Sequence, residues 1–233
     1  MNNFFFTNFS KSYFLFLIIF ISYTLPAFAE PGISVFMYHR FGENKYPSTN
    51  VSEKQFNSHI SYILNNDVKI IKLEKLIMAL DRGDIFDEKA VAFSVDDAYS
   101  SFYEIAWPIF RNNKIPVTLF ISTDIIDKKT KGYMSWADIK KFIDEGGNVG
   151  QHTATHLHMP LNNVSDIKND ILNSHKSWVK NIGFIPKLFA YPYGESSNEV
   201  IEILKEFNIS HAFGQHSGVI SSFDNRYYLP RFS

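Results

Sequence analysis

The sequence predicts a parallel α/β fold, either an open doubly wound sheet or a closed barrel of alternating strands and helices. Three observations support this. Short apolar runs alternate with segments of helical periodicity from residue 33 to the end, unusual ionisable residues stand directly after several of those runs, and no glycine-rich phosphate loop follows the first one. The last point sets a nucleotide-binding fold aside.

Seven strands are expected: Ile33 to His39, Val68 to Ile71, Ala90 to Val95, Val117 to Ser122, Asn148 to Gln151, Leu188 to Tyr191 and Ser210 to Phe213. Helices fall between them. Ser52 with Gln55 forms a capping box, followed by Phe56, Ile60, Ile63 and Leu64 on one face. Ser135 with Asp138 repeats the device, Ile139, Phe142 and Ile143 supply the stripe, and Gly146 the left-handed stop. A third helix runs from Ser165 with Ile167, Ile171, Trp178 and Ile182 inward, and a fourth from Asn198 to Phe207. An aromatic-rich helix from Tyr99 to Phe110 should be kinked by Pro108, while Trp136 and Trp178 read as packing residues. The loop from Arg40 to Asn50, with Gly42 and Pro47, is the expected mobile excursion.

Composition narrows the function. Hydrophobic residues make up 45% of the 233 and charged residues 20%, enough apolar material for one sizeable core and too much for a disordered chain. The 23 basic and 24 acidic residues leave a formal charge of −1, which argues against nucleic acid as a partner. Cysteine is absent, so disulfides, thiolate metal sites, cysteine nucleophiles and a lipid-modified cysteine anchor are all excluded. Any metal must be held by histidine and carboxylate.

The first 29 residues read as a removable export signal. Lys11 precedes an apolar run from Tyr13 to Leu25, then come Pro26 and the small-x-small ending Ala27-Phe28-Ala29. The run is short for a membrane span. The expectation is therefore an exported protein, periplasmic or extracellular, with no stable membrane anchor after cleavage and one domain over residues 30–233.

Candidate site residues converge on the carboxyl ends of the strands, where both architectures build their sites. His39 closes the first strand. Asp96 and Asp97 follow the third, and two adjacent carboxylates after a buried strand call for a cation or proton between them. Their side chains diverge, which suits one binding metal and the other handling a proton, although a helix N-cap with a solvated neighbour would also use such a pair. His152 and His156 follow the fifth strand at a spacing that lets both imidazoles reach one ion, with His158 as a spare. Two His and one Asp make a three-ligand, open-sided metal site. Tyr191-Pro192-Tyr193-Gly194 follows the sixth strand as a fixed turn able to aim a backbone N–H at a developing oxyanion.

In this order, Ser94-Val95-Asp96-Asp97, His152-Thr153-Ala154-Thr155-His156 and Tyr191-Pro192-Tyr193-Gly194 resemble the polysaccharide deacetylases, the NodB-homology or family 4 carbohydrate esterases. The resemblance implies a distorted (β/α)7 barrel of the glycoside hydrolase/deacetylase type and metal-dependent removal of N- or O-acetyl groups from an acetylated polysaccharide. Carried over by position, Asp96 is the general base, Asp97, His152 and His156 hold a divalent metal, and the Tyr193 N–H meets the oxyanion. Zinc is the expected metal, with cobalt, nickel or iron also acceptable to those ligands.

Two departures stand out. The family often has an arginine in the Pro-Tyr motif to orient the base, where this chain has Ala190-Tyr191. Arg231, in Leu229-Pro230-Arg231, is the candidate replacement, and that ending looks like the subgroup acting on poly-N-acetylglucosamine. The motifs supplying the acid in other members have no clear counterpart, so His216 is the expected acid, with His211 and His39 behind it. His39, Tyr191 and Arg231 are the expected substrate contacts. Chitin oligomers, peptidoglycan and acetylated xylan remain open as substrates. The competing readings are a glycan-binding relative without activity, a non-haem iron enzyme using the same ligand set, and an exported binding protein.

Overall fold

Fold and chain order follow closely from the apolar runs. The computed structural model describes residues 32–84 and 89–233, so the expected export signal lies outside the described residues. Its first part comprises β1 (Ile33–Tyr38), β2 (Arg40–Phe41), β3 (Asn50–Val51), α1 (Glu53–Asn65), β4 (Lys69–Ile70) and α2 (Leu73–Arg82). Then come β5 (Ala90–Asp96), a π-helical turn (Phe102–Ala106), α3 (Trp107–Asn112), β6 (Thr118–Ile121), α4 (Thr123–Asp127) and α5 (Trp136–Asp144). The last part holds β7 (Asn148–Gln151), α6 (Val164–Asn181), β8 (Leu188–Ala190), α7 (Asn198–Glu206) and β9 (His211–Phe213).

All seven expected strands join one parallel sheet in the order β1-β5-β6-β7-β8-β9, with β4 paired to β5. β1 runs along β5 from Ile33 opposite Ala90 to Tyr38 opposite Val95. β4 meets only the first residues of β5, and β6 meets its last, from Ser94 opposite Thr118 to Asp96 opposite Phe120. β5 is covered on both faces and accordingly reads as an almost unbroken apolar run.

The sheet curls into the expected barrel. Phe120 of β6 and Phe213 of β9 are not on neighbouring strands, yet their ring centroids lie 5.7 Å apart, so they meet inside the curl. Ala92, Val35 and Ala190 share that interior and leave room for the two rings. The C-terminal segment closes the gap between β9 and β1. Leu229 bridges Phe213, Phe232 bridges Phe36, and the Met37 N–H donates to the Phe232 carbonyl at 2.7 Å.

The helices bury an aromatic outer layer. Phe56, Phe93, Phe102, Phe110, Phe142 and Trp178 all belong to the largest apolar cluster, and Phe56, Ile60 and Ile63 are the buried stripe of α1. Both expected capping boxes form, at Ser52 with Gln55 and at Ser135 with Asp138, and Gly146 takes a φ of 97°. The third helix starts one residue early, capped by Asn163 rather than led by Ser165. Pro108 has no N–H to give, and the π-helical turn ends just before it, where α3 begins.

Two helices were not anticipated. α2 carries Leu73, Leu76, Ile77 and Leu80 on its buried face and ends at Gly83 in the left-handed region, a readable pattern. α4 has five residues, too few for a period to show. The expected excursion from Arg40 to Asn50 is tied at both ends, where β2 pairs with β3, and the Arg40 guanidinium lies 3.4 Å from the Tyr99 ring centroid.

Gly150 of β7 stands opposite Phe120, and a Cβ there would come within 2.3 Å of the Phe120 ring. Gly150→Ala should destabilise the fold by about 1–3 kcal/mol through overpacking. Chemical denaturation measures it, and an unchanged midpoint would contradict this account of the barrel interior.

Candidate active site

Asp96 is the last residue of β5 and its side chain is fully buried. The Arg231 guanidinium meets it as a fork, donating to Oδ1 at 2.7 Å and to Oδ2 at 2.8 Å. Arg231 also donates to the Gly214 carbonyl at 2.9 Å and to the Ser94 hydroxyl at 3.2 Å, and rests 5.4 Å above the Phe120 ring. Burial alone would raise the Asp96 carboxyl, but the charge of Arg231, with His152, the Arg231 hydrogen bonds and His39, brings it down to about 2. Asp96 is therefore held as a carboxylate at neutral pH.

The chain leaves β5 abruptly. Asp97 and Ala98 are both left-handed, with φ of 75° and 59°, which directs Asp97 away from the barrel interior occupied by Asp96. Such a conformation in a residue with a side chain costs on the order of 1–3 kcal/mol and persists only where the surroundings enforce it. Here the Asp97 N–H is fixed to the Phe120 carbonyl at 3.0 Å. Its Oδ1 is buried and has no hydrogen-bond partner among the described residues.

His152 and His156 approach that same oxygen. Each Nε2 lies 3.5 Å from Asp97 Oδ1. His152 Nδ1 is 2.7 Å from the Ala190 carbonyl, which can only accept, so Nδ1 carries the hydrogen and Nε2 presents its lone pair. Burial lowers the His152 pKa, against the opposing pull of Asp96 and Asp97.

Asp170, which the sequence reading passed over, shapes the loop between the histidines. From α6 its buried carboxylate accepts from the Ala154 N–H at 2.6 Å, the Thr155 N–H at 3.1 Å and the Thr155 hydroxyl at 2.6 Å. Thr153 and His156 on either side are left-handed, with φ of 62° and 59°. A carboxylate sixteen residues beyond Ala154, inside a helix, carries no local motif that would mark it.

These donors fit a divalent cation. Two ligand atoms each 2.0–2.1 Å from one tetrahedral ion stand about 3.3 Å apart, close to the 3.5 Å found here. The three candidate ligand atoms lie within 4.8 Å of one another, and an ion among them would give Asp97 Oδ1 the partner it lacks.

The remaining expected residues divide. Tyr193 is left-handed at φ 61°, and its ring stands 4.7 Å from that of His156, so this turn borders the cluster. His39 reaches it too: Tyr38 pairs with Val95, which sets the next residues, His39 and Asp96, side by side. Burial lowers the His39 pKa, while Asp96 and Asp97 are close enough to raise it. A cavity of about 340 Å³ opens beside His39, with Arg40, Asn50, His59 and Gln215 in its wall. His216 instead stacks on Tyr228 at 4.5 Å, and its carbonyl accepts from the Arg231 N–H at 3.0 Å.

Two expected substrate contacts need correction. The Tyr191 side chain is fully buried with its hydroxyl donating to the Tyr227 carbonyl at 2.7 Å, and Arg231 is fully buried against Asp96. Neither side chain is free to touch a glycan. His211 also lies away from the cluster, buried and 3.4 Å from Asp81.

A parallel barrel with this donor set at its strand ends is the arrangement of a metal-dependent hydrolase, and the comparisons give the class: the polysaccharide deacetylases. The fold matches the Streptococcus pyogenes deacetylase PplD in complex with acetate at a TM-score of 0.79, with 18% identity, covering 88% of this chain and 92% of that one. It matches the structure of IcaB from Ammonifex degensii at 0.78, with 24% identity and 87% and 91% covered. The family model described as polysaccharide deacetylase matches residues 83–212, and the chain belongs to that family. Among curated proteins, the poly-β-1,6-N-acetyl-D-glucosamine N-deacetylase of Staphylococcus aureus is 27% identical over 210 residues, 84% of this chain and 71% of the relative. Its Staphylococcus epidermidis counterpart is 24% identical over 203 residues, 82% and 70% respectively.

The ion pair fixes an acid response. Asp96 has a folded pKa of about 2, below the roughly 3.9 of an unfolded aspartate, so it contributes stability above pH ~4 that is lost as pH falls toward 2. Arg231→Met leaves a buried carboxylate unpaired and should cost about 3–5 kcal/mol at neutral pH. Denaturant titrations from acid to neutral pH should show that loss in full near neutrality and a narrowing gap toward acid, where protonation neutralises the unpaired carboxyl. Equal stability of the two proteins would sink the assignment.

Proposed function

We propose that the chain is a metal-dependent N-deacetylase of an exported poly-N-acetylglucosamine-type polysaccharide. The observation that carries this reading is the pairing, at one rim, of a salt-bridged Asp96 with the unpartnered Asp97 Oδ1 and two histidine Nε2 atoms aimed at it. Family membership and the curated relatives support it, and the named activity of those relatives favours the poly-β-1,6-linked substrate.

Asp97, His152 and His156 would hold the cation, zinc first among those the donors accept. When bound, such an ion lowers the pKa of water to about 7 and acts as a Lewis acid on the acetyl carbonyl. Asp96 takes the proton from the attacking water. The water oxygen bonds to the carbonyl carbon, and the Tyr193 N–H donates to the oxygen on which charge develops. The carbon–nitrogen bond then breaks, releasing acetate, and a protonated imidazole gives its proton to the departing amine.

His39 is the better-placed acid, because it neighbours Asp96 along the strand pairing while His216 is stacked elsewhere; with burial lowering its pKa, it would donate the proton that Asp96 takes from the water and passes on to it. Export rests on the sequence of residues 1–29 together with the exported polysaccharide implied by the relatives. Among the described residues, no helix is long and apolar enough to cross a membrane.

Acetate release from a panel of acetylated glycans by the metal-loaded protein tests the reading. Release should fall at least 100-fold in Asp96→Asn with metal content intact, and disappear on chelation. His39→Ala should lower turnover by roughly 100-fold and His216→Ala little. The reverse ranking would return the acid to His216. Asp170→Asn should weaken metal binding by about 10–100-fold while the chain stays folded, as read by metal titration and circular dichroism.

A further inference from the structure

Beside the candidate centre the rim carries a second cluster whose side chains the mechanism does not use. Tyr193 is 53% exposed, and its ring lies 4.7 Å from the His158 ring as well as 4.7 Å from that of His156. His158 Nε2 is 2.7 Å from Glu195 Oε2, and Glu195 is itself 60% exposed at its side chain. The left-handed pair Tyr193 and Gly194, with φ of 61° and 72°, folds the turn so that the Tyr193 ring and the Glu195 carboxylate touch the same imidazole.

An open aromatic face accepts the apolar face of a sugar ring and attracts a cation placed over it. A carboxylate next to that face attracts a cation again. Neither feature favours a neutral acetamido group. The cationic sugar that such a centre meets is its own product, a hexosamine freed of its acetyl group.

We propose that Tyr193, His158 and Glu195 form a subsite for an already deacetylated amino sugar adjoining the unit under attack, its ring against the exposed side of Tyr193 and its ammonium on the solvent-facing Glu195 carboxylate beside His158. The proposal rests on the deacetylase reading and deepens it. Hydrolysis at one unit would then favour binding at its neighbour, so that free amines accumulate in runs along the polymer.

Calorimetric titration of a β-1,6-linked glucosamine tetramer tests this without turnover, at mildly acidic pH where its amines are charged. Wild type should bind roughly 3- to 10-fold more tightly than Glu195→Gln, and the difference should shrink at high salt. Absence of binding, or equal affinity in both proteins, overturns the subsite. In the acetate assay, a partly deacetylated oligomer should show a lower KM than a fully acetylated one in wild type, and that ratio should collapse in Glu195→Gln. Equal KM values in wild type also overturn it. Salt-sensitive, Glu195-dependent binding without any acetate release would uphold the amino sugar site and overturn the deacetylase reading instead.

Discussion

A fully buried carboxylate survives only if the same low-dielectric space holds an opposite charge, and for Asp96 that charge comes from 135 residues away. Arg231 lies on the segment that bridges β9 to β1, so the residue that neutralises Asp96 is also part of the closure of the barrel. Gly214, Ser94 and Phe120 hold the guanidinium in place, and these come from the β9 exit, β5 and β6. Closing the fold and charging the candidate base are therefore one event. A chain whose C-terminal segment failed to dock would leave both an open sheet edge and an unpaired acid.

Strain is concentrated at the same rim. Asp97, Ala98, Thr153, His156 and Tyr193 are all left-handed without being glycine. Asp67, Lys114 and Asn208 share that conformation but follow helix ends, where a left-handed residue is the ordinary way to stop. The rim residues terminate no helix. Their cost is offset by hydrogen bonds the neighbourhood supplies, the three accepted by Asp170 and the Asp97 N–H given to Phe120. The outcome is a set of donors pre-aimed at a common point.

Much of this was legible in the chain because it is local. Strands buried on both faces become unbroken apolar runs, and all seven were readable, as were the capping boxes at Ser52 and Ser135. Asp96, Asp97, His152, His156 and Tyr193 sit in short motifs directly after such runs. What failed to show depends on pairing. That His39 rather than His216 adjoins Asp96 follows from β1 lying against β5 with Tyr38 opposite Val95, a register no composition or period reveals. Arg231 could be named as a replacement charge, but its complete burial is a property of the closed barrel. Asp170 looks like any acidic residue on an amphipathic helix until the loop it holds is in place.

The Arg231 pairing also sets a limit on the chemistry. By holding Asp96 ionised, it makes the carboxylate available at any pH near neutrality, and the same interaction removes most of its basicity. A carboxylate stabilised in this way draws a proton more readily from a donor that is itself acidified. The unpartnered Asp97 oxygen and the two facing imidazoles provide the place where a cation would make water that acidic. On this argument the ion pair inside the barrel and the open donor set on its rim are not separate features. On the deacetylase reading, the buried pair holds the base and the open donor set would hold the ion that activates its water, and the two act on one substrate.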